Sequence, residues 1–435
     1  MIVVYSPIQS PRLNYTLSLI FHTILGCKYQ LTHDKIFYET TNLPKLNYST
    51  TPLNSGIFIQ PHSLLQESNI RSLIPHAEDL SDEFPIFFKS EIQDFLGFDI
   101  LSTVFYVVTR YEEYNATNLD EHQRYKAENS LAYKYHFLHY PYINKIVAYF
   151  GDKLQKQYPQ LIFNQRTFNF LSTIDIDNAF AYAHKGFVRN SLGFIKDACS
   201  FNFQKLQSRI SSCINEKNDP YFTFQEINSI SEATNTALHY FVLIGDYNTY
   251  DKNPHYQNKG FQQLLKSLSN SHSMGLHPSY ASHQHFEKIG VEKKRLEHII
   301  EKPITSARCH FLRLKLPDTY QFFNEIGITD DYTMIYASQV GFRTGLCTPH
   351  QWFDLQKNEA TKLTIHPSTM MEGVLRDYLK LDSLTAYNSV EKLMTEVKKY
   401  GGEFISIFHN DSFIKQQAPW VDLYKKMLST SKKAV

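Results

Sequence analysis

The sequence is poor in cysteine, with five residues of this type in 435. They are scattered and none forms a CxxC pair: Cys27, Cys199, Cys213, Cys309 and Cys347. An odd, dispersed set argues against a disulfide framework and against a cysteine-type zinc site.

Long hydrophobic runs are also lacking. The N-terminal stretch MIVVYSPIQSPR is broken by Ser6, Pro7 and Pro11, which does not suit the apolar part of a signal peptide. No stretch approaches the roughly 20 apolar residues that a membrane-spanning helix needs. The sequence therefore predicts no transmembrane segment and a cytoplasmic location.

Excess charge is the third feature that is missing. The formal net charge is +1, and no sustained basic run occurs, so nothing in the composition indicates a nucleic-acid or anionic-membrane partner. A hydrophobic content of 42% with 20% charged residues is typical of a globular protein, and the length suggests two or three domains.

What the sequence does contain is the stretch LSTIDIDNAF at residues 171–180. Its apolar run is rich in β-branched residues, favours a buried strand, and ends in Asp175 and Asp177. Alternation along a strand places both acids on the same side. Two acids there need a cation, an arginine or a shared proton to compensate them, unless they simply cap the strand and face solvent.

Short apolar runs alternate with helical segments from about residue 166 onward, which predicts a parallel β/α architecture of about seven strands, closed or open. Such folds place their chemistry where strands end. The runs here end repeatedly in polar residues that packing does not explain: Asp175 and Asp177, His277, Arg308 and His310, His366, and His409. Asp177 with His277 would begin a hydrolytic divalent-metal site.

The first part of the chain has a different texture, and we predict a boundary near residue 160. The predicted domains are a smaller mixed α+β domain over 1–160 and a β/α domain over 166–435. In the first, the patterns predict strands at IVVY, GIFIQPH and PIFFKS and helices over 13–25, 98–114 and 128–150. The cluster Arg110, Glu112 and Glu113 is expected to be a solvated, ion-paired helix end.

Residues 166 to about 415 resemble the NodB-homology polysaccharide deacetylases, carbohydrate esterase family 4. The resemblance implies a deformed (β/α)7 barrel. By its first motif Asp175 would be the catalytic base and Asp177 a metal ligand. GLHPSYAS matches the second motif through His277, but Ala281 stands where the family has another histidine. Arg308 in SARCHFLR matches the arginine that orients the base.

His310 is a candidate for the missing ligand, and His283 and His285 are weaker ones. The fourth motif resembles DDYTMIYASQVGFRTG, where Asp330 and Asp331 are available, and the resemblance implies that Asp331 and Tyr332 bind substrate. FISIFHND matches the last motif, whose histidine, here His409, protonates the leaving amine. The first ~165 residues, with RYEEY at 110–114, resemble an uncharacterised N-terminal domain of Bacteroidetes-type proteins, which implies no activity.

The resemblance implies a metal-dependent hydrolase, with zinc the expected ion, that removes acetyl groups from N-acetylated sugars of a polysaccharide or glycan precursor. Two alternatives stay open. Ala281 favours an inactive carbohydrate-binding or scaffold protein of surface-polysaccharide assembly. A metal-free glycoside hydrolase would need a second acid across the cleft from Asp175, for which Asp331 is the evident candidate.

Overall fold

The computed structural model describes residues 1–77, 83–164 and 166–432. Four short strands near the N-terminus form one sheet in the order β2-β1-β3-β4: β1 Ile2–Tyr5, β2 Tyr29–Thr32, β3 Lys45–Tyr48 and β4 Ile57–Ile59. The helices of this half are α1 Pro11–Leu17, continued by a π-helix over Ser18–Ile24, then α2 Lys35–Thr40, α3 Ile100–Val108, α4 Leu131–Lys134 and α5 Tyr142–Gln157.

The N-terminal sheet confirms some predictions and corrects others. The first strand and the helix after it are confirmed, and Gly26, at φ +59°, follows the helical segment in a conformation that glycine favours. PIFFKS forms no strand; Lys89 of this segment makes an isolated bridge to Phe98. All neighbouring strands are parallel, so this half has an α/β arrangement rather than the predicted α+β one.

The second half is built on nine strands in the order β10-β11-β9-β8-β7-β6-β5-β13-β12. Their bounds are β5 Phe168–Ile176, β6 Leu238–Val242, β7 Ser273–Leu276, β8 Ser306–Ala307, β9 Asp330–Asp331, β10 His350–Asp354, β11 Glu359–Ile365, β12 Met370–Met371 and β13 Gly402–His409. The helices are α6 Phe187–Cys199, α7 Phe203–Ile214, α8 Phe224–Ala233, α9 Lys259–Ser271, α10 Glu287–Ile300, α11 Asp318–Glu325, α12 Ser383–Tyr400 and α13 Ala418–Ser431.

This sheet is parallel except for the β10–β11 pair, as the alternating pattern predicted. It is not a closed barrel, because no ladder joins β10 to β12 in the part of the chain that the structure describes. The antiparallel β10–β11 hairpin extends one edge, and β12 is only two residues long. The segment YTMIYA forms no strand; its place in the sheet is taken by the two residues before it, β9.

Apolar side chains form one large cluster in each half. The C-terminal cluster packs helices against β5, β6 and β13, through residues such as Ile174, Tyr240 and Phe404. The N-terminal cluster also includes Tyr336 and Phe353 from the second half, so the two halves share an apolar contact.

The domain division near residue 160 stays a prediction. Residues 433–435 of the predicted second domain, 166–435, lie outside the described residues. Among the described helices, none is long and apolar enough to cross a membrane.

The predicted solvated cluster at the end of α3 is wrong, because it is buried. Arg110 adopts φ +55° and directs its guanidinium to Glu112 at 2.8 Å and Glu113 at 2.7 Å. It also donates to the Tyr336 hydroxyl, and Arg343 donates to Glu113 at 2.5 and 3.0 Å. Partners more than 220 residues away along the chain therefore bury this network between the halves.

Candidate metal centre

The site begins at the carboxyl end of β5, where two acids leave a buried strand. Asp175 is 2% exposed, and its Oδ1 accepts a hydrogen bond of 2.7 Å from Arg308 Nη1. The same guanidinium donates to Thr173 Oγ1, at 2.7 Å, and to the carbonyl oxygen of Tyr332. Arg308 is itself fully buried, so this pairing fixes the orientation of the Asp175 carboxylate.

Asp177, one residue past the strand, lies between two histidine rings from neighbouring strand ends. Its Oδ1 is 3.2 Å from His277 Nε2, and its Oδ2 is 3.3 Å from His310 Nε2. The three side chains offer ligand atoms that lie within 4.8 Å of one another. His310 reaches this point from the turn after β8, where Phe311 adopts φ +58°.

The other ring nitrogen of each histidine fixes the tautomer. His277 Nδ1 lies 2.5 Å from the carbonyl oxygen of Arg308, and His310 Nδ1 lies 2.9 Å from Asp251 Oδ1. Since both partners are acceptors, each Nδ1 is the donor, and a neutral ring turns the lone pair of Nε2 toward Asp177. Two lone pairs facing a carboxylate need a proton or a cation between them.

The charges around Asp177 support this conclusion. Burial raises the pKa of the Asp177 carboxyl, but His310 and His409 outweigh it and hold that pKa well below its usual value. Burial lowers the pKa of His310, yet Asp177 and Asp251 together raise it to about 9. In the absence of a metal ion, the carboxylate is therefore balanced by protonated histidine.

Two nitrogens and a carboxylate oxygen are a donor set that suits zinc, and three protein ligands are typical of a catalytic zinc site. Asp177 Oδ1 is buried and, within the described residues, has no hydrogen-bond partner. A buried carboxylate oxygen that accepts no hydrogen bond and lies 3.2 Å from the Nε2 of His277 fits a cation ligand. The residues present thus fit a divalent ion.

His409 ends β13, which pairs directly with β5. Glu372, fully buried, accepts hydrogen bonds of 2.8 Å from both Nδ1 and the backbone N–H of His409. This leaves Nε2 directed toward the site, 3.8 Å from Asp177 Oδ2. Burial lowers the pKa of His409, but Glu372 and Asp177 outweigh it and raise that pKa well above its usual value.

A cleft of about 290 Å³ opens over these groups. It is lined by Asp175, Asp177, His277, His310 and His409, with Phe311, Leu312, Met371 and Tyr378 among its other walls. Arg124, from the first half of the chain, also lines it and donates to the carbonyl oxygen of Phe311 at 2.9 Å. Both halves of the protein therefore form the cleft.

The two residues predicted to bind substrate do not line this cleft. Asp331 is 0% exposed, and its carboxylate accepts hydrogen bonds of 2.6 Å from the hydroxyls of Tyr320 and Thr333. The ring of Tyr332 stacks on His366, with centroids 4.5 Å apart. Asp331 ends β9, an interior strand between β8 and β11, and Tyr332 follows it directly. Asp331 is also not placed to be the second acid of a glycoside hydrolase.

The remaining predicted residues lie outside the ligand group. His283 is buried and His285 exposed, and neither joins the Asp177, His277 and His310 group. His366 pairs with Asp330 at 3.1 Å and Glu403 at 2.9 Å. Sequence reasoning missed Asp251, which gives no strand-end signal, and Glu372, which follows the short strand β12 and could have been noticed as another strand-end acid.

A family model matches the N-terminal part of the chain. Residues 2–159 match the model of a family of unknown function, DUF7033, which implies no activity for this half. None of the curated proteins matches the chain significantly.

Solved structures resemble it over about 60% of its length. One is a protein from Mycobacterium smegmatis assigned to the polysaccharide deacetylases, with 13% identity, 61% of this chain and 84% of that one covered, and a TM-score of 0.41. The polysaccharide deacetylase Bc1974 from Bacillus cereus has 12% identity, coverage of 61% and 88%, and a TM-score of 0.31.

A third structure is a mutant of BA3943, described as a CE4 family pseudoenzyme with restored enzymatic activity. It has 9% identity, coverage of 60% of this chain and 65% of that one, and a TM-score of 0.28. What the present site can do therefore has to follow from its own side chains.

Proposed function

We propose that this protein is a metal-dependent deacetylase that hydrolyses the acetamide of N-acetylated sugars in a polysaccharide or glycan precursor. The observation that carries the proposal is the convergence of Asp177, His277 and His310 within 4.8 Å, directly beside Asp175 and His409. A divalent ion, for which the donor set favours zinc, would supply Lewis-acid polarisation of the acetamide carbonyl and a water of lowered pKa.

Asp175 is suited to be the general base. Arg308 holds its Oδ1, so its Oδ2, which is 3.9 Å from His277 Nε2, remains directed at the cleft to accept the proton of the attacking water. Arg308 acts through this carboxylate, and its own burial keeps it from contacting substrate.

His409 is suited to be the general acid. Glu372 fixes its ring through Nδ1 and favours the protonated form, so Nε2 carries the proton that the departing sugar nitrogen needs. Base and acid thus flank the ligand group from the ends of two paired strands, β5 and β13. Hydrolysis of an amide requires this division of roles.

The inactive alternative rested on Ala281, which stands where a second ligand histidine was expected. His310 offers Nε2 to the same carboxylate that His277 approaches, and Asp251 supports its ring. The backbone N–H of Ala281 donates to Asp251, so the altered segment still contributes to the support of His310. This replacement favours the catalytic function over a binding or scaffold role.

The test is acetate release from N-acetylglucosamine oligomers and donors, measured with full-length protein together with its metal content. Asp175→Asn keeps the size of the side chain but cannot accept the proton, so turnover should fall roughly 100-fold or more with metal still bound. Asp177→Ala should lose both. His285→Ala, which removes an exposed histidine outside the group, is the control and should change neither.

Full activity of Asp175→Asn would contradict the proposed base. Absence of acetate release from every N-acetyl sugar tested, with a full complement of metal, would favour the carbohydrate-binding alternative. The cytoplasmic location stays a prediction of the sequence.

A further inference from the structure

Helices α6 and α7 form a hairpin that exposes its apolar side chains and buries polar ones. We call this segment, residues 187–214, the 187–214 hairpin. In α6 the one buried residue is Asp197, and in α7 it is Ser212. The large apolar side chains are exposed instead, including Phe187 at 87% and Ile214 at 81%. A helix in a globular protein normally buries its apolar stripe.

The hairpin exposes many large apolar side chains. Nine large hydrophobic residues in the hairpin are exposed: Phe187, Val188, Leu192, Phe194, Ile195, Phe201, Phe203, Ile210 and Ile214. None of them belongs to the apolar clusters of the protein. Between the two helices lies an open groove of about 470 Å³, lined on one side by α6 and on the other by α7. Exposed apolar surface of this extent marks an interaction site.

The hairpin is held in place by polar contacts. Asp219, at its base, accepts hydrogen bonds from the backbone N–H groups of Ala181, Tyr182 and Ala183. Arg209 of α7 pairs with Asp197 of α6 at 2.8 Å and joins the helices. The fold therefore orders the hairpin without covering its apolar face.

The charges of the hairpin indicate what covers it. Residues 187–217 contain two acids; Asp197 pairs with Arg209 of the same segment, and Glu216 contacts the imidazole of His184 just before it. The exposed lysines Lys196, Lys205 and Lys217 have no ion-pair partner within the part of the chain that the structure describes. Lys196 follows Ile195 and Lys205 lies two residues after Phe203, so uncompensated positive charge lies next to exposed apolar residues along the chain.

We propose that the 187–214 hairpin docks the protein on an anionic lipid surface, with its apolar residues in the head-group region and its lysines against the anionic head groups. An apolar face with basic residues beside it is the pattern of helices that lie in a membrane interface. Each helix is about 20 Å long at 1.5 Å per residue, too short to cross the bilayer core. A two-fold contact with a second copy would bring the same lysines toward each other, which disfavours that occupant.

The hairpin follows the metal site closely along the chain, so docking would also position the cleft. Phe187 is ten positions after Asp177 in the sequence, and both follow the carboxyl end of β5. Lys185, just before α6, contacts Asn178, just after Asp177. Docking would therefore hold the metal-site cleft near the lipid surface, in reach of a glycan attached there.

Co-flotation of the full-length protein with vesicles tests the proposal without reference to catalysis. The vesicles are phosphatidylcholine alone and phosphatidylcholine mixed with phosphatidylglycerol, in a buffer with a chelator. We expect binding to the mixed vesicles that weakens as salt increases. Phe187→Ser with Phe203→Ser should reduce the partition coefficient at least about tenfold. Lys196→Glu with Lys205→Glu should reduce it about tenfold or more on the mixed vesicles alone.

Ile36→Ser with Leu384→Ser is the control, because it removes two exposed apolar side chains outside the hairpin; binding should be unchanged. The proposal is overturned if the wild-type protein does not bind mixed vesicles, or if the control pair loses as much binding as the hairpin pair. It is also overturned if light scattering shows a dimer that the phenylalanine variants dissociate while vesicle binding is absent. Acetate release from soluble oligomers should be equal in all variants, which keeps this test separate from that of the proposed function.

Discussion

Asp251 Oδ1 lies 2.9 Å from His310 Nδ1, although the two residues are 59 positions apart. Asp251 is fully buried, and it also accepts a hydrogen bond of 2.8 Å from the backbone N–H of Tyr280. This second contact helps to fix the orientation of the carboxylate that holds the His310 ring. It determines which nitrogen of His310 faces Asp177. A carboxylate behind a ligand histidine also makes the ring a better donor to a metal.

The first prediction concerns this support. Asp251→Asn should lower zinc affinity by roughly 10- to 100-fold, because the ring loses its charged partner and its fixed orientation. Competition with a fluorescent chelator measures the affinity. Glu292→Gln is the control: it alters a buried carboxyl that holds Ser279 rather than a ligand ring. Equal affinities for Asp251→Asn and the wild type would contradict the account.

The second prediction concerns His409 as the acid. Glu372 is the anion that most raises the pKa of this ring, so Glu372→Gln should lower that pKa. Activity, which needs the protonated ring, should then decline at lower pH, with the alkaline limb of the profile moved down by roughly 1 to 3 pH units. Ser412→Ala removes a neutral hydrogen bond to the same carboxylate and should leave the limb in place. An unmoved limb in Glu372→Gln would exclude His409 as the acid.

The third prediction is a pH dependence of stability at a histidine outside the site. Burial lowers the pKa of His366, but Asp330 and Glu403 outweigh it and raise it to about 9. A raised folded-state pKa contributes stability that is complete below the unfolded value of 6.5 and is lost as pH rises through about 9. The difference in urea midpoint between the wild type and His366→Gln should therefore shrink across that range. A difference that grows with pH would show that the ring is not held as a cation.

The fourth prediction concerns the buried ion pairs between the halves. Glu113→Gln leaves Arg110 and Arg343 without their shared anion and should cost about 3–5 kcal/mol in free energy of unfolding. Denaturant titration of the full chain measures this cost. Glu39→Gln, in an exposed pair with Lys35, is the comparison and should leave the unfolding midpoint in place. Similar midpoints for both variants would mean that the network does not stabilise the halves together.

The sequence was most informative where chemistry follows parallel strands. Asp175, Asp177, His277 and His409 could be assigned to one edge because the carboxyl ends of parallel strands meet there. Asp331 was expected to bind substrate only through the family resemblance, and that expectation failed because its carboxylate is buried and bonded to Tyr320 and Thr333. Asp251 and Glu372 act through contacts between distant segments, which no local pattern shows.

Burial and local charge were harder to predict than strand position. Arg110, Glu112 and Glu113 read as a solvated helix end because their partners, Tyr336 and Arg343, lie far along the chain. The net charge of +1 did not indicate an anionic lipid partner, because acids elsewhere in the chain balance the unpaired lysines of the 187–214 hairpin. The net charge of a whole chain does not show a local cluster of charges.

The most direct test of the central claim is the position of the metal in crystals of the full-length protein, located by anomalous scattering at the zinc edge. The account predicts one ion per chain, at about 2 Å from Asp177, His277 and His310, and its loss in crystals of His310→Ala. An ion bound elsewhere, or one retained in place after His310→Ala, would contradict it.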